Sequence, residues 1–348
     1  MIRDYFSKDI GIDLGTANSL VYIKGRGIVI NEPSIAAVNN KTNQVLAIGE
    51  EAKKMLGRTP SHISIVRPLV GGVISDFEMT QEILRHFFKR IGGRRIFNYH
   101  RVVIGIPVNL TEVERKSVED AVISSGGGKV FLIEEPVAAA LGARLPIHEP
   151  GANMIVDIGG GTTDIAIISI GGTVTARSLK IAGDKLNDEI IKFVRDEFKL
   201  LIGEPTADEL KINIGSAVPL DEKMEMTARG RDISSGLPKE VVIKSHQIRA
   251  AVNRSLRLII DSVKEIIETA PPELAGDILK RGIYICGGGS LLKGIDKLIK
   301  EEVGVEATVV DDPLTCVVRG TGIAVENISA YSNIFVTPIE QLDIKGLF

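Results

Sequence analysis

The sequence predicts a mixed α/β protein made by duplication, with two related halves closing around a cleft. Three observations carry that expectation: short β-rich runs recur before glycine turns, amphipathic helical patterns lie between them, and one strand-turn motif occurs twice. Ile12-Asp13-Leu14-Gly15-Thr16 returns as Val156-Asp157-Ile158-Gly159-Gly160-Gly161-Thr162-Thr163, with the aspartates 157 − 13 = 144 residues apart. Alternating strands and helices indicate a sheet covered by helices, and the repeated motif indicates a repeated fold.

The runs Ile10-Gly11-Ile12-Asp13, Val102-Val103-Ile104-Gly105-Ile106, Met154-Ile155-Val156-Asp157 and Ile283-Tyr284-Ile285-Cys286 read as strands. A second apolar run follows each repeated turn, Leu20-Val21-Tyr22-Ile23 and Ile165-Ala166-Ile167-Ile168, so each turn joins two strands in a hairpin. The two turns are expected to face one another across the cleft. Between Glu78 and Ile91, the side chains of Met79, Ile83, Leu84, Phe87, Phe88 and Ile91 share a helical face that stops at Gly92-Gly93. Thr111 with Glu114 makes a capping-box pattern that opens a helix through Val122. The stretch from Leu220 to Pro238 is polar enough to be a surface excursion.

Composition narrows the function. A chain of 348 residues, 44% hydrophobic and 25% charged, can bury a sizeable core, and its length suggests two domains or one with insertions. Its formal charge of −3 lacks the basic surplus that nucleic-acid binding leaves, so no nucleic-acid partner is expected. Cys286 and Cys316 have no metal-ligand spacing and read as structural thiols in a reducing compartment. The start, Met1 to Asp9, is too charged for a signal sequence, and no apolar run reaches the length of a membrane span, which predicts a cytoplasmic protein. Five histidines, His62, His86, His100, His148 and His246, are scattered and suggest no metal site.

A glycine hairpin exposes successive backbone N–H groups that can converge on an anion. That makes each repeated turn a phosphate cradle, with Gly15, Thr16, Ala17 and Asn18 in the first and Gly159, Gly160, Gly161, Thr162 and Thr163 in the second. An aspartate beside phosphate is repulsive unless it orients the water shell of a magnesium ion, so Asp13 and Asp157 are expected to meet Mg2+ through water. Thr162 and Thr163 can offer hydroxyls to phosphate or to an attacking water. A third run, Gly287-Gly288-Gly289-Ser290, follows the strand ending at Cys286; glycines there admit a nucleoside, and a helix N-terminus is expected behind them. A P-loop is excluded, because Gly126-Gly127-Gly128-Lys129 has neither its spacing nor a hydroxyl after lysine. A dinucleotide-binding turn is excluded because a strand, not a helix, follows Gly161.

The two phosphate hairpins, Glu134-Glu135-Pro136-Val137-Ala138-Ala139-Ala140 and the late Gly-Gly-Gly loop resemble the actin, Hsp70 and sugar-kinase superfamily. Asp13-Leu14-Gly15-Thr16-Ala17-Asn18-Ser19, Asn31-Glu32-Pro33-Ser34, Leu56-Gly57-Arg58-Thr59-Pro60, Leu145-Pro146-Ile147-His148-Glu149-Pro150 and Thr269-Ala270-Pro271-Pro272-Glu273-Leu274 narrow the resemblance to the MreB family of bacterial actins, over almost the whole chain.

The resemblance implies a duplicated actin-like, ribonuclease H-like α/β fold. Domain I would span residues 1–150 and about 315–348 with a small subdomain at about 33–75, and domain II residues 151–314 with a small subdomain at about 185–247. It implies ATP and Mg2+ in the cleft, Glu135 as the residue that positions the attacking water, and Thr162 as its helper. Gly183, Asp184, Asp208, Glu209, Leu210 and Lys211 match the nucleoside-facing segments. Asp208 and Asn213 stand where glutamates are usual, and Val70-Gly71-Gly72 replaces a more charged turn. It further implies ATP-dependent self-assembly into filaments, peripheral attachment to the inner face of the cell membrane, and partners among membrane proteins of the cell-wall elongation machinery. Arg94-Arg95-Ile96-Phe97 lies where members of the family carry a membrane-inserting loop, which makes Ile96 and Phe97 the expected lipid contacts. A sugar or acid kinase and an Hsp70-like ATPase are alternatives on the same fold; the chain ends at Phe348 without a peptide-binding domain and shows no sugar-binding insertion.

Overall fold

The computed structural model describes residues 8–92 and 101–336. The first half opens with β1 (Ile10–Leu14), β2 (Asn18–Ile23) and β3 (Gly27–Pro33). An insertion follows: β4 (Ala36–Asn39), β5 (Gln44–Ile48), α1 (Glu50–Met55), β6 (Ile63–Val66), β7 (Leu69–Val70), β8 (Val73–Ile74) and α2 (Phe77–Ile91). The half is completed by β9 (Val102–Ile106), α3 (Glu112–Ser124), β10 (Val130–Glu134) and α4 (Glu135–Gly142).

The second half repeats the plan. It runs through β11 (Asn153–Ile158), β12 (Thr163–Ser169) and β13 (Gly172–Leu179), then α5 (Gly183–Phe198), β14 (Leu200–Leu201), α6 (Glu204–Ile214), β15 (Glu225–Asp232) and β16 (Pro238–Lys244). After α7 (Ser245–Glu268) and α8 (Pro272–Arg281) come β17 (Ile283–Cys286), α9 (Ile295–Val303), β18 (Ala307–Val309) and α10 (Cys316–Glu326).

The duplication is visible in the strand order. One five-stranded sheet runs β3-β2-β1-β9-β10 and the other β13-β12-β11-β17-β18. In each, an antiparallel meander is extended by two parallel strands. Each half also inserts a three-stranded sheet, β5-β4-β6 in the first and β14-β15-β16 in the second. The stretch from Leu220 to Pro238, expected as a surface excursion, contains β15. Its charged residues alternate with partly buried ones because one face of the small sheet covers the core.

Local signals act as the sequence suggests. Asp76 caps α2 by accepting from Met79 N at 2.9 Å, and Gly92 ends the helix in the left-handed region at φ 85°. The Thr111–Glu114 capping box opens α3, which runs on to Ser124.

Of the three large cores, two lie within the halves: Ile12, Leu84, Phe87 and Ile104 belong to one, and Val156, Ile190, Ile259 and Ile285 to the other, while a small cluster of Ile35, Ala37 and Ala52 fills the first insertion. A third lies between the halves, where Ala138, Ala139 and Ala140 of α4 meet Val317 and Ala324 of α10. Here α10 packs on β1, β2 and β9, while α4 reaches β11 and β12. The two helices cross in backbone contact: a methyl added at Gly142 would lie 1.9 Å from the Cys316 carbonyl oxygen, and one at Gly320 would lie 1.7 Å from that of Ala138. Each half therefore rests on a helix that crosses from its twin.

Candidate functional site: a nucleotide cleft

The two repeated hairpins meet tip to tip above this crossing. A methyl at Gly160 would lie 2.6 Å from Ala17 Cβ, and one at Gly161 would lie 2.5 Å from Thr16 Oγ1, so only glycine allows the approach. Gly72 N donates to Thr16 Oγ1 at 3.1 Å, which ties the β7–β8 turn to the first hairpin. The second hairpin is tied to the start of α5, where Asp184 N donates to Gly160 O at 2.8 Å. Towards the small subdomains, Arg67 NH2 lies 2.5 Å from Glu204 Oε1 and bridges the two sides of the cleft.

Beneath the tips is a cavity of about 420 Å³, lined by both hairpins, the first turns of α4 and α5, and the Gly287–Gly289 turn. That volume falls within the range of small-molecule and cofactor sites. Its floor is acidic. Burial raises the Asp13 carboxyl to about 7. Burial also holds Asp157 well above the ordinary range, helped by the charges of Asp164 and Asp13, although the Cys286 thiol opposes this by hydrogen-bonding its carboxylate. Glu135 is raised well above the ordinary range by burial and then by Asp164, Asp13 and Asp157. Like charges so placed favour a cation among them. Among the described residues no three His, Cys, Asp or Glu side chains cluster closely enough to hold a metal ion directly. Asp13 and Asp157, each ending the first strand of its hairpin, do fit a hydrated divalent ion reached through water.

The cavity brings together Asp13, Gly15, Thr16, Ala17, Asn18, Glu135, Asp157, Gly159, Gly160, Gly161, Thr162, Gly183, Asp184, Asp208, Lys211, Gly287, Gly288 and Gly289. It leaves four expected contacts outside. Thr163 spends its hydroxyl on Ile181 O at 2.6 Å, and Ser290 spends its own on Gly287 O at 2.7 Å. Leu210 is buried in the second core, and Glu209 is exposed on the outer face of α6, because neighbouring residues of a helix cannot share one face. Behind Gly287–Gly289 the chain makes a 3-10 turn over Gly288–Leu291, and α9 starts only at Ile295, so the helix N-terminus expected there is set back. Ile96 and Phe97 lie outside the described residues.

Lys211 is held in place by Asp208 Oδ1 at 2.8 Å, Asn187 Oδ1 at 2.8 Å and Gly183 O at 3.2 Å. Burial raises the Asp208 carboxyl, but its hydrogen bond and ion pair with Lys211 outweigh this and hold it below its usual value. The shorter aspartate thus orients the lysine at the cavity wall. Sequence reasoning missed Asn31, Lys53, Ile212 and Leu314 in the lining, and Asp164 behind it. The four come from different elements: Asn31 lay in the Asn31-Glu32-Pro33-Ser34 motif and Ile212 beside Lys211, whereas Lys53 and Leu314 had no local motif; Asp164 had a signal in the repeat itself.

Paired hairpins, crossed helices and an acid-floored cleft between duplicated halves define an actin-like protein. The family described as MreB/Mbl protein matches residues 7–333. The cell shape-determining protein Mbl of Bacillus subtilis is 47% identical over 322 residues, 92% of this chain and 97% of that protein. The crystal structure of MreB5 of Spiroplasma citri bound to ADP superposes with a TM-score of 0.89 at 43% identity, covering 94% of this chain and 98% of that one. Its AMPPNP-bound structure gives 0.89 at 42%, covering 98% and 99%. The chain belongs to the MreB/Mbl family of bacterial actin-like cytoskeletal proteins that determine cell shape. Neither a metabolic kinase nor a chaperone is favoured. No helix among the described residues is long and apolar enough to cross a membrane.

Proposed function

We propose that the chain binds ATP with Mg2+ in this cleft, hydrolyses it, and couples the cycle to assembly of filaments along the inner membrane surface. The observation that carries this is the meeting of both glycine hairpins over one cavity floored by Asp13, Asp157 and Glu135. The ADP and AMPPNP bound by the Spiroplasma relative support the choice of adenine nucleotide.

The chain's own groups divide the work. Backbone N–H groups of Gly15–Asn18 and of Gly160 and Gly161 cradle the phosphates from the two sides, while Gly159 N–H closes its own hairpin on Thr162 O at 2.9 Å. Asp13 and Asp157 would hold a hydrated Mg2+ through its waters, and the ion would supply positive charge against the phosphates. Glu135, at the first turn of α4, is fixed by a rigid element against the cavity, with its Cγ 3.3 Å from where a methyl on Gly105 would stand. It accepts a hydrogen from the attacking water, and Thr162 completes the alignment; catalysis of this kind is mostly positioning and charge stabilisation. Lys211 and Asp208 border the nucleoside.

Purified chain with ATP and Mg2+ should release phosphate without any sugar present and yield sedimentable polymer. Glu135→Ala should bind nucleotide normally, release phosphate about tenfold more slowly or worse, and keep its polymer longer. Normal turnover in that variant would remove Glu135 from the mechanism.

A further inference from the structure

We propose that the free edge of β5, with the acid-walled groove beside it, is a docking site that takes up the basic juxtamembrane segment of a membrane-protein partner as an added strand. The choice of partner rests on the membrane placement proposed above; the site itself does not.

β5 is the outer strand of the first inserted sheet, β5-β4-β6. Its sequence, Gln44-Val45-Leu46-Ala47-Ile48, holds neither charge nor proline. The outer strand of the second inserted sheet is guarded in the usual way, since β16 carries Pro238, Lys239, Glu240 and Lys244. An unguarded edge offers backbone N–H and C=O groups to an extended chain that reaches it. One irregularity shapes what can pair there. Val38 pairs with Val45 and Ala37 with Ala47, so Leu46 is an extra, bulged residue with its side chain 44% exposed. A bulge blunts pairing with another flat sheet, which disfavours a second copy of this chain, whereas a short flexible peptide can follow it.

The groove supplies the selectivity. A cavity of about 510 Å³ is lined by residues 45–48 of β5, by Glu50 and Glu51 at the start of α1, and by Glu32, His86 and Arg90. Arg90 is taken by Glu32, with NH1 2.5 Å from Oε1, and Glu32 also accepts from Glu50 N at 2.9 Å. Burial and then the Arg90 charge hold the His86 imidazole below its usual value, so it is neutral at pH 7. Glu50 and Glu51 are exposed and have no ion pair among the described residues, which leaves the groove net acidic. An apolar edge beside free carboxylates calls for a peptide with both apolar and basic side chains. Position selects its source. Arg90 lies in the last turn of α2, 96 − 90 = 6 residues before Ile96, so the groove is within about 20 Å of the segment expected at the lipid. Cytoplasmic segments flanking membrane spans carry an excess of lysine and arginine. Such a segment is basic and lies at the same membrane surface as this groove.

The test uses the full chain without nucleotide and, as probe, a fluorescein-labelled peptide of about eight residues alternating lysine with valine. It should bind saturably by anisotropy and slow deuterium exchange of β5 amides, while a peptide alternating glutamate with valine should not bind. N-methylation of alternate residues removes peptide donors without changing charge, and should weaken binding at least about tenfold. Glu50→Lys with Glu51→Lys, and separately Leu46→Lys, should each weaken it by about tenfold while melting and phosphate release stay at wild-type values. To place the source, the peptide is displayed on neutral phosphatidylcholine vesicles, which should recruit chain carrying Ile96→Ser and Phe97→Ser as well as wild type. No saturable binding, equal affinity for the N-methylated peptide, unchanged affinity in the charge-reversed variant, or free peptide bound without recruitment to vesicles would each overturn the proposal. Protection of β5 that rises with protein concentration in the absence of peptide would assign the edge to a second copy and overturn it too. The neutral lipid keeps this test apart from flotation with anionic liposomes, whose failure would strike the membrane reading.

Discussion

Replacing Gly320 with alanine tests the crossing of α4 and α10, on which the relation of the two halves depends. The added methyl would lie 1.7 Å from the Ala138 carbonyl oxygen, 2.5 Å from its carbon and 2.9 Å from the Ala138 Cα. These are backbone atoms, so no rotamer change relieves the overlap; the helices must part by roughly 1.5 Å to regain ordinary contact. Overpacking of this kind costs about 1–3 kcal/mol or more, against which alanine returns up to about 1 kcal/mol of helix propensity. A net loss of about 2 kcal/mol corresponds to a melting temperature lower by about 3 °C in a chain of 348 residues. Gly276→Ala in α8 is the control, since a methyl there meets nothing within 4 Å. It should stabilise by about 0.5–1 kcal/mol, and thermal melts of both variants beside wild type make the comparison. Equal melting temperatures for Gly320→Ala and wild type would refute backbone contact at the crossing.

Three further expectations address the site and the membrane. Asp13→Ala and Asp157→Ala should weaken Mg-dependent ATP binding while leaving the nucleotide-free fold intact, and calorimetry showing unchanged Mg-ATP affinity in both would remove the metal assignment. Asp13 titrates at about 7 and Asp164 at about 6, each above its usual 3.8, because both are buried. The folded chain then holds more protons than the unfolded one between roughly pH 4 and 7, so these groups make ligand-free stability fall as pH rises through that window. Melting temperatures measured across it should drop less steeply with rising pH in Asp13→Asn than in wild type; parallel curves would contradict the buried-acid reading. Ile96→Ser with Phe97→Ser should spare polymer formation and ATP hydrolysis but abolish co-flotation with anionic liposomes. Burying both side chains gains about 3–6 kcal/mol per subunit before ordering costs, with about 1 kcal/mol more per arginine from Arg94 and Arg95, and a filament multiplies weak anchors. Unchanged flotation would show that this segment is not the anchor.

The sequence alone determined the features whose physics is local. Glycine hairpins behind Asp13 and Asp157, the Thr111–Glu114 cap and the face of α2 are each written in a few adjacent residues. The repeat at 144 residues implied two similar sheets because a duplicated segment folds by the same rules twice. Asp164 was readable from that repeat as well, once the ladder aligns it with Leu20. Only the tertiary structure decided which residues of a motif reach the cleft. In α6 the helical turn sends Asp208 and Lys211 to the cavity, buries Leu210 and leaves Glu209 in solvent. The placement of Cys286 and Cys316 in the core between the halves, the approach of Gly142 and Gly320, and the reach of Val108 N–H to Asp164 all join residues far apart in the chain. Such contacts follow from how two sheets and their crossed helices pack, and packing is settled by the whole chain at once rather than by any stretch of it.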